Sequence, residues 1–384
     1  MITVLADQNH YLLEQYLHPS IRLDSYDPIA GWTDEQIRSA DALLVRTVNP
    51  VNRDTLPESS SVRFVGSASA GRDHLDDEWL ASRNIHVADA KGSNARCVAE
   101  HVAVSVLSYC ESAHRDPRQL TAGIVGVGQT GSATAAILQG LGVHCLLFDP
   151  PRERRERNGE SETPVGGRPF VSVSPDEVLS ADILTFHVPL VHNGTDATRH
   201  WYDHEKIRST GKILVINASR GGVVDETELR KAAGDGHVAG FILDVWENEP
   251  LFDDESVKQA FLATPHVAGY SIEAKRKATE MMCRELHRFF GLDDPEPPSD
   301  PPKSVSVTGS GSSLTGILKQ LHPAWTYDTS LRALTGTPPS EKGSAFLELR
   351  QKTPLRHEFQ QMTIPEALTQ QHPELLHLGL QTGP

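Results

Sequence analysis

Three ionisable residues, Arg220, Glu249 and His266, occupy positions at which the sequence pattern predicts a small-molecule site. Arg220 follows the apolar run Ile213–Asn217, Glu249 follows a second run that ends at Asp244, and His266 comes directly after a Thr-Pro pair. The runs predict buried strands of a parallel sheet, and ligands gather at the carboxyl ends of strands in open parallel sheets. We therefore expect these side chains to line one site.

The three side-chain types suit the oxidation of a 2-hydroxy acid. The Arg220 guanidinium can hold the substrate carboxylate, and the His266 imidazole can take the hydroxyl proton while hydride leaves the same carbon. A carboxylate at Glu249 beside that imidazole favours the protonated form that the reverse reaction needs. Taken singly, each residue also has a structural explanation, as a turn arginine, an acidic loop residue and a histidine after proline. The interpretation therefore depends on the fold.

The segment Gly123–Gly131 predicts a strand, a tight turn and the start of a helix. Gly126, Gly128 and Gly131 have the G-x-G-x-x-G spacing that permits the turn, the close approach of a diphosphate and the packing of helix on strand. The helix N-terminus offers free N–H groups to the diphosphate. Asp149, at the end of the next apolar run, can accept hydrogen bonds from both ribose hydroxyls of an adenosine. The segment therefore predicts a dinucleotide-binding βαβ unit.

The carboxylate of Asp149 also bears on the choice of dinucleotide. It favours NAD over NADP, because a 2′-phosphate would meet its negative charge. Arg152 stands nearby in the sequence and could soften that repulsion, which leaves NADP as the alternative. NAD is the expected cofactor.

Strand-like runs alternate with helical segments over most of the chain, which predicts an α/β fold. We expect a doubly wound, parallel-sheet (Rossmann) nucleotide domain inserted into a smaller α/β substrate domain, followed by a C-terminal α+β module. The expected limits are residues 1–93 and 267–291 for the substrate-binding lobe, 94–266 for the nucleotide domain, 292–304 for a proline-rich linker and 305–384 for the C-terminal module. The polar segment 152–168 is expected to be a surface loop, and the last dozen residues are expected to be disordered.

The bulk composition excludes several classes of partner. A formal net charge of −15 argues against nucleic acid or an anionic membrane surface. No apolar run reaches membrane-spanning length, and the first residues already have the pattern of a strand. The four cysteines lack C-x-x-C spacing, so we expect reduced thiols of a cytoplasmic protein, without a disulfide framework or a metal site.

The motifs together resemble those of the D-isomer-specific 2-hydroxyacid dehydrogenases over about residues 40 to 290. The resemblance rests on motifs that occur in the family order: the three glycines with Asp149, Asn217-Ala-Ser-Arg220-Gly-Gly, Leu243-Asp-Val-Trp246 with Glu249, and Pro265-His266. It implies that Arg220 holds the substrate carboxylate and carbonyl, that Glu249 is the partner of the histidine, and that His266 is the acid and base. It also implies that Asp244 lies near the nicotinamide. The residues then expected to bind NAD are Gly126, Gly128, Gln129, Thr130, Gly131, Asp149, Val188, Ala218, Asp244 and Gly269.

Within the family, further segments resemble a member that acts on a phosphorylated hydroxy acid and carries an additional dimerising C-terminal module. These segments are Val45–Val48, Val65–His74, Phe346–Arg350 and Leu355–Phe359. The resemblance implies a homodimer, with Thr47, Ser69 and Tyr270 in contact with substrate. Arg46 is our own candidate for a phosphate contact, since a guanidinium offers bidentate geometry. A salt-bridged strand end is the alternative for Arg46.

Two other functions stay open at this point. The first is a related dehydrogenase of the same family for a different substrate, one that oxidises D-3-phosphoglycerate or that reduces glyoxylate or hydroxypyruvate. The second is a protein of another class, which binds NAD as a sensor and has lost catalysis. The presence of Arg220, Glu249 and His266 argues against the sensor.

Overall fold

The structure is a computed structural model that describes residues 1–160, 170–296, 303–304, 307 and 313–383. The strands are β1 (Ile2–Asp7), β2 (Ile21–Tyr26), β3 (Ala42–Val45), β4 (Phe64–Ser67), β5 (His86–Asp89), β6 (Thr121–Val125), β7 (His144–Phe148), β8 (Ile183–Phe186), β9 (Leu214–Asn217), β10 (Gly240–Leu243), β11 (Leu262–Ala263), β12 (Lys303–Ser304), β13 (Met362–Pro365) and β14 (Gln381–Gly383).

The helices are α1 (Leu13–Tyr16), α2 (Asp34–Ser39), α3 (Asp77–Ser82), α4 (Ala95–Ser112), α5 (Gln129–Gly140), α6 (Pro150–Arg157), α7 (Pro175–Leu179), α8 (His204–Ser209), α9 (Glu226–Gly234), α10 (Asp254–Gln259), α11 (Ile272–Phe290), α12 (Leu314–Leu321), α13 (Ala324–Arg332), α14 (Pro339–Lys352), α15 (Glu366–Gln371) and α16 (Glu374–His377). Single 3₁₀ turns cover Pro117–Gln119 and Phe359–Gln361.

The first compact unit comprises residues 1–94 and 271–301. Its five strands form a parallel sheet in the order β2-β1-β3-β4-β5. The long helix α11 begins after Ser271, whose hydroxyl accepts the N–H of Ala274, and ends at Gly291 in the left-handed conformation. Apolar side chains of α11 pack on one face of the sheet, in a cluster that contains Leu44, Phe64, Met282, Cys283 and Leu286.

The second unit comprises residues 95–270 and 302–384. Its six-stranded parallel sheet has the order β11-β10-β9-β8-β6-β7, so the chain changes direction across the sheet at β6. The carboxyl end of β6 is therefore the topological switch point, where open α/β sheets bind their ligands. Buried apolar clusters cover both faces of the sheet, and β8 and β9 are buried along their whole length. The doubly wound parallel fold that the sequence predicts is confirmed.

The C-terminal residues pack within this second unit. Helix α12 contacts α4, α13 contacts β11, and β12, β13 and β14 form a small parallel sheet. Leu375, Leu378 and Leu380 are buried, which shows that the expectation of a disordered tail is wrong. The domain limits expected from the sequence stay a prediction, and much of the expected linker lies outside the described residues.

The expectation of a surface loop at 152–168 is also wrong over its first part. Residues Pro150–Arg157 form helix α6, which begins at the side chain of Asp149 and carries two prolines in its first turn. Residues 161–169 lie outside the described part of the chain. All four cysteines are free thiols, and Cys145 is the one that is half-exposed. Over the described residues, the structure contains no helix of the length and apolar character that a bilayer crossing requires.

Candidate active site

The glycine turn after β6 leaves room for a diphosphate. Gly126 has φ 87°, and a Cβ atom there would lie 2.6 Å from the carbonyl oxygen of His187. A Cβ atom on Gly131 would lie 1.9 Å from the carbonyl oxygen of Gly126, so only glycine allows α5 to approach the turn. At Gly128, by contrast, no atom lies within 4 Å of a Cβ position. This open position at the N-terminus of α5, where Gln129 and Thr130 begin the helix, fits the close approach of a dinucleotide diphosphate.

Asp149 joins the glycine turn to the end of β7. One carboxylate oxygen accepts the N–H of Val127 at 2.8 Å, and the other accepts the N–H of Arg152 at 2.8 Å. A carboxylate has about four lone-pair positions, so Asp149 retains acceptor capacity for ribose hydroxyls. The position of Asp149 therefore fits the role that the sequence predicts.

Arg152 is buried beneath this turn and does not stand on the surface. Its side chain donates hydrogen bonds to the carbonyl oxygen of Val127 at 2.6 Å and to Glu156 at 2.8 Å, and it stacks on Phe170. A guanidinium held in this way supports the turn from below. The structure thus gives no support to the alternative in which Arg152 offsets the charge of Asp149 for a 2′-phosphate.

Arg220 lies in a tight turn after β9. The side chain of Asn217 shapes this turn, because its amide oxygen accepts the N–H of Ser219 at 3.1 Å and its amide nitrogen donates to the carbonyl oxygen of Arg220 at 2.9 Å. A Cβ atom on Gly221 would lie 1.9 Å from the carbonyl oxygen of Trp246. The glycine therefore brings the Arg220 turn against the loop that carries Glu249.

His266 lies in a loop that Asp244 organises. The Asp244 carboxylate is buried and accepts hydrogen bonds from the hydroxyl of Thr264 at 2.6 Å and from the N–H groups of Val267 at 2.8 Å and Ala268 at 3.0 Å. His266 itself has φ 57°, a conformation that costs a non-glycine residue about 1 kcal/mol or more. The hydrogen bonds around Asp244 hold the histidine in this strained conformation, which indicates that its position matters.

Glu249 and His266 form the acid–imidazole pair that the sequence predicts. The two carboxylate oxygens lie 2.9 and 3.0 Å from Nδ1 of His266. Burial would raise the pKa of Glu249, but His266 and Arg350 outweigh burial and lower that pKa below its ordinary value. Glu249 is therefore an anion that binds Nδ1, which leaves Nε2 as the ring nitrogen that can exchange a proton with a substrate.

Arg350 of α14 is a member of this group that the sequence analysis did not identify. Its Nη1 lies 3.3 Å from Glu249, and its Nη2 donates a hydrogen bond to the Tyr270 hydroxyl at 3.4 Å. From the sequence, the segment Phe346–Arg350 indicates only a part of the C-terminal module. No local spacing signals a contact between residues that stand 101 positions apart.

The remaining predicted cofactor residues of this unit lie near the same strand ends. The side chain of Val188 lies against the glycine turn, 2.6 Å from a Cβ position on Gly126. Ala218 occupies the turn between β9 and Arg220, and Gly269 lies in the loop after His266. These positions stay predictions as cofactor contacts.

His187 follows β8 beside the glycine turn, but its imidazole is not a candidate acid or base. Burial lowers the pKa of His187 to about 3, so the ring is neutral at physiological pH. Its Nε2 lies 3.1 Å from the hydroxyl of Thr185. We interpret His187 as a structural residue, whose main chain packs on Gly126.

The predicted substrate residues of the first unit follow the carboxyl ends of its own strands. Arg46 follows β3, and its Nε donates a hydrogen bond to the buried carboxylate of Asp7 at 2.7 Å. Thr47 is exposed beside it. Ser69 follows β4, and its hydroxyl donates to the carbonyl oxygen of Gly71 at 2.8 Å. The salt bridge that we gave as the alternative for Arg46 is therefore present, and the substrate contacts of these residues stay predictions.

The chain is similar to known proteins over most of its length. Residues 81–268 match the family model described as "D-isomer specific 2-hydroxyacid dehydrogenase, NAD binding domain". The chain is 36% identical, over 368 residues and 92% of each chain, to a protein of Marinobacter nauticus named erythronate-4-phosphate dehydrogenase. It is 37% identical, over 91% of this chain and 90% of the relative, to a protein of Salinibacter ruber with the same name.

Solved structures show the same fold at lower sequence identity. A D-lactate dehydrogenase from Treponema pallidum has a TM-score of 0.59 and 19% identity, with 76% of this chain and 98% of the other covered. A D-lactate dehydrogenase from Aquifex aeolicus, solved with NAD and lactic acid, has a TM-score of 0.57 and 21% identity, with 75% and 95% covered. At this identity the likeness shows the fold alone.

Proposed function

We propose that this chain, which belongs to the D-isomer-specific 2-hydroxyacid dehydrogenase family, oxidises 4-phospho-D-erythronate to 2-oxo-3-hydroxy-4-phosphobutanoate. The family is one of NAD-dependent oxidoreductases, and NAD is the cofactor. The observation that carries the choice of substrate is the similarity to relatives named erythronate-4-phosphate dehydrogenase over 92% of the chain. The reaction would serve pyridoxal 5′-phosphate biosynthesis.

Three residues of the second unit have separate roles in the proposed reaction. Arg220 binds the substrate carboxylate through its guanidinium, which has the planar geometry for a bidentate contact. Nε2 of His266 takes the proton of the 2-hydroxyl group, and Glu249 at Nδ1 stabilises the imidazolium that forms. When bound, NAD supplies the acceptor for the hydride that leaves the same carbon.

The distal phosphate is the feature that separates this substrate from lactate or glycerate. Arg46 is the proposed phosphate contact, with Thr47, Ser69 and Tyr270 as further substrate contacts. The ion pair between Arg46 and Asp7 uses Nε, so a phosphate contact would have to use the terminal nitrogens of the guanidinium. We expect substitution of Arg46 to raise KM for phosphorylated substrates more than for unphosphorylated analogues.

We also propose that the protein is a cytoplasmic homodimer that associates through its C-terminal residues. The support is the resemblance of Phe346–Arg350 and Leu355–Phe359 to segments of dimerising relatives. Sedimentation equilibrium of the full chain tests the dimer, since a mass close to 42.1 kDa would identify a monomer.

The deciding experiment measures the absorbance of reduced nicotinamide after NAD and 4-phospho-D-erythronate are added to the purified protein. A parallel assay with an external 2-oxo acid detects turnover that a tightly held cofactor would hide. Reduction, or cycling that depends on the oxo acid, supports the proposal. Activity confined to the oxidation of D-3-phosphoglycerate, or to the reduction of glyoxylate or hydroxypyruvate by NADH, would keep the family and change the substrate. Binding of NAD without turnover of any hydroxy acid would favour the sensor.

A further inference from the structure

The C-terminal helix α14 brings a cation to the catalytic pair of its own chain. Arg350 lies near the end of this helix, and its side chain is 17% exposed, close to the 19% of Glu249. The guanidinium of Arg350 contacts Glu249 at 3.3 Å and the hydroxyl of Tyr270 at 3.4 Å. Its Nε is buried and has no hydrogen-bond partner among the described residues. Its position therefore couples the partner of His266 to a predicted substrate contact.

A buried ion pair anchors the chain directly after α14. Arg356 and Glu100, which are 6% and 0% exposed, are joined by a hydrogen bond of 2.7 Å. Arg356 also donates to the carbonyl oxygen of Cys97 at 2.9 Å, and the Cys97 thiol donates to the carbonyl oxygen of Ala268 at 3.1 Å. Breaking a buried ion pair is strongly destabilising, so this connection holds the C-terminal chain against the loop of His266.

The charges around Glu249 explain what Arg350 contributes. His266 faces the carboxylate from the loop after β11, and Arg350 faces it from α14. Burial opposes the ionised form of Glu249, and these two groups together lower the pKa of its carboxyl. Because His266 changes its charge during the reaction and Arg350 does not, Arg350 keeps a cation beside Glu249 in every step.

We propose that Arg350 is a positioning residue of the active site, which keeps Glu249 ionised and directed at His266 and orients the hydroxyl of Tyr270. The C-terminal module then completes the catalytic site within one chain, in addition to any part it has in dimerisation. The inference rests on the proposed function only through the substrate used for kinetics, because the contacts of Arg350 are independent of substrate.

The test compares full-length wild-type protein with Arg350→Met, which keeps the alkyl chain and removes the charge, and Arg350→Gln, which keeps hydrogen-bond donors and removes the charge. The carboxyl titration of Glu249 is followed by carbon-13 NMR, with its signal assigned by its loss in Glu249→Gln. We expect the titration of Glu249 to move to higher pH in both Arg350 variants. In the assay with 4-phospho-D-erythronate, we expect kcat to fall about tenfold in both variants. We also expect the acid limb of the pH profile of kcat to move to higher pH.

Lys342→Met is the matched control. Lys342 lies on the same helix, its side chain is 12% exposed, and it forms an ion pair with Asp254 at 2.7 Å. This variant removes a comparable ion pair from α14, and we expect it to leave the Glu249 titration in place. An unchanged Glu249 titration in both Arg350 variants would overturn the inference. If the protein did not oxidise 4-phospho-D-erythronate, the proposed function would be wrong. The NMR titration of Glu249 would still test the role of Arg350, because it needs no substrate.

Discussion

Glu249 binds Nδ1 of His266 with both of its carboxylate oxygens, at 2.9 and 3.0 Å. This symmetric contact places the proton of the neutral imidazole on Nδ1 and leaves the lone pair on Nε2. The ring is fixed further by its backbone, since the main chain of His266 is held in the left-handed region and its N–H donates to the carbonyl oxygen of Asp244. The pair is thus prepared for proton transfer at one defined atom.

Replacing His266 by asparagine removes the proton acceptor while it keeps a polar side chain of similar size. We expect kcat to fall by about 10²–10⁴, the usual contribution of a positioned acid or base. Steady-state kinetics with 4-phospho-D-erythronate measure the loss, and calorimetry should find NAD affinity close to that of the wild type. A wild-type rate would mean that another residue is the base.

Arg220→Ala removes the proposed carboxylate clamp, and Arg220→Lys keeps the charge without the bidentate geometry. Each hydrogen bond to a charged group contributes about 1.5–3 kcal/mol, so two of them predict a loss of kcat/KM of at least roughly 10²-fold for alanine. We expect lysine to recover only part of the loss, because an ammonium cannot make the planar contact. Urea unfolding serves as the control for an intact fold, and full activity of Arg220→Ala would refute the assignment.

Local patterns in the sequence predict the parallel sheet of the second unit and the contact between Glu249 and His266. The run Ile213–Asn217 forms the strand Leu214–Asn217, and a helix begins at Gln129 within the glycine segment, because hydrophobic periodicity and the glycine spacing are local properties. The pair of Glu249 and His266 follows from the rule on strand ends, since a parallel sheet collects those ends at one edge. The catalytic roles of Glu249 and His266 stay predictions.

The failures share a dependence on distant partners. The charged run around Arg152 has the pattern of an exposed loop, yet the guanidinium is buried because the carbonyl oxygen of Val127 and the ring of Phe170 accept it. The sequence likewise does not predict the role of Arg350, because its contacts with Glu249 and Tyr270 form only in the folded chain.

The glycine turn permits a test that separates cofactor binding from folding. We expect Gly128→Ala to fold with nearly wild-type stability, because its new methyl group enters open space, and to lose NAD affinity because that space receives the diphosphate. Gly131→Ala is expected to unfold more easily, since its Cβ would lie 1.9 Å from the carbonyl oxygen of Gly126. Calorimetric titration with NAD and thermal unfolding measure the two effects.

The pair of glycine variants contains its own control. If Gly128→Ala bound NAD as tightly as the wild type, the turn would not be the diphosphate site. If Gly131→Ala were as stable as the wild type, α5 would have to shift relative to β6, and the contact with Gly126 would not constrain the turn. Either result would contradict the role that the sequence motif and the structure give to these glycines.

Glu226, the first residue of α9, makes the stability of the protein depend on pH. Its carboxyl is 5% exposed and accepts the N–H of Glu247, in the loop that leads to Glu249. Burial raises the pKa of Glu226 to about 7, and the nearby charges of Glu247 and Asp253 act in the same direction. The ordinary value is 4.5, so the folded chain binds this proton over a pH range in which the unfolded chain has released it.

The stability that this proton supplies is fully present below about pH 4.5 and is lost as the pH rises through about 7. Glu226→Gln keeps an oxygen that accepts the N–H of Glu247 and removes the titration. We therefore expect it to match the wild type near pH 5 and to exceed the wild-type free energy of unfolding near pH 8 by up to about 3 kcal/mol. Urea unfolding at the two pH values measures the difference.

Glu228→Gln, on the same helix, is the control. We expect it to gain no stability at high pH, because hydrogen bonds from Lys231 and His204 lower the pKa of Glu228 to about 2. Equal stability of Glu226→Gln and wild type near pH 8 would show that the carboxylate of Glu226 is accommodated in the folded protein without cost.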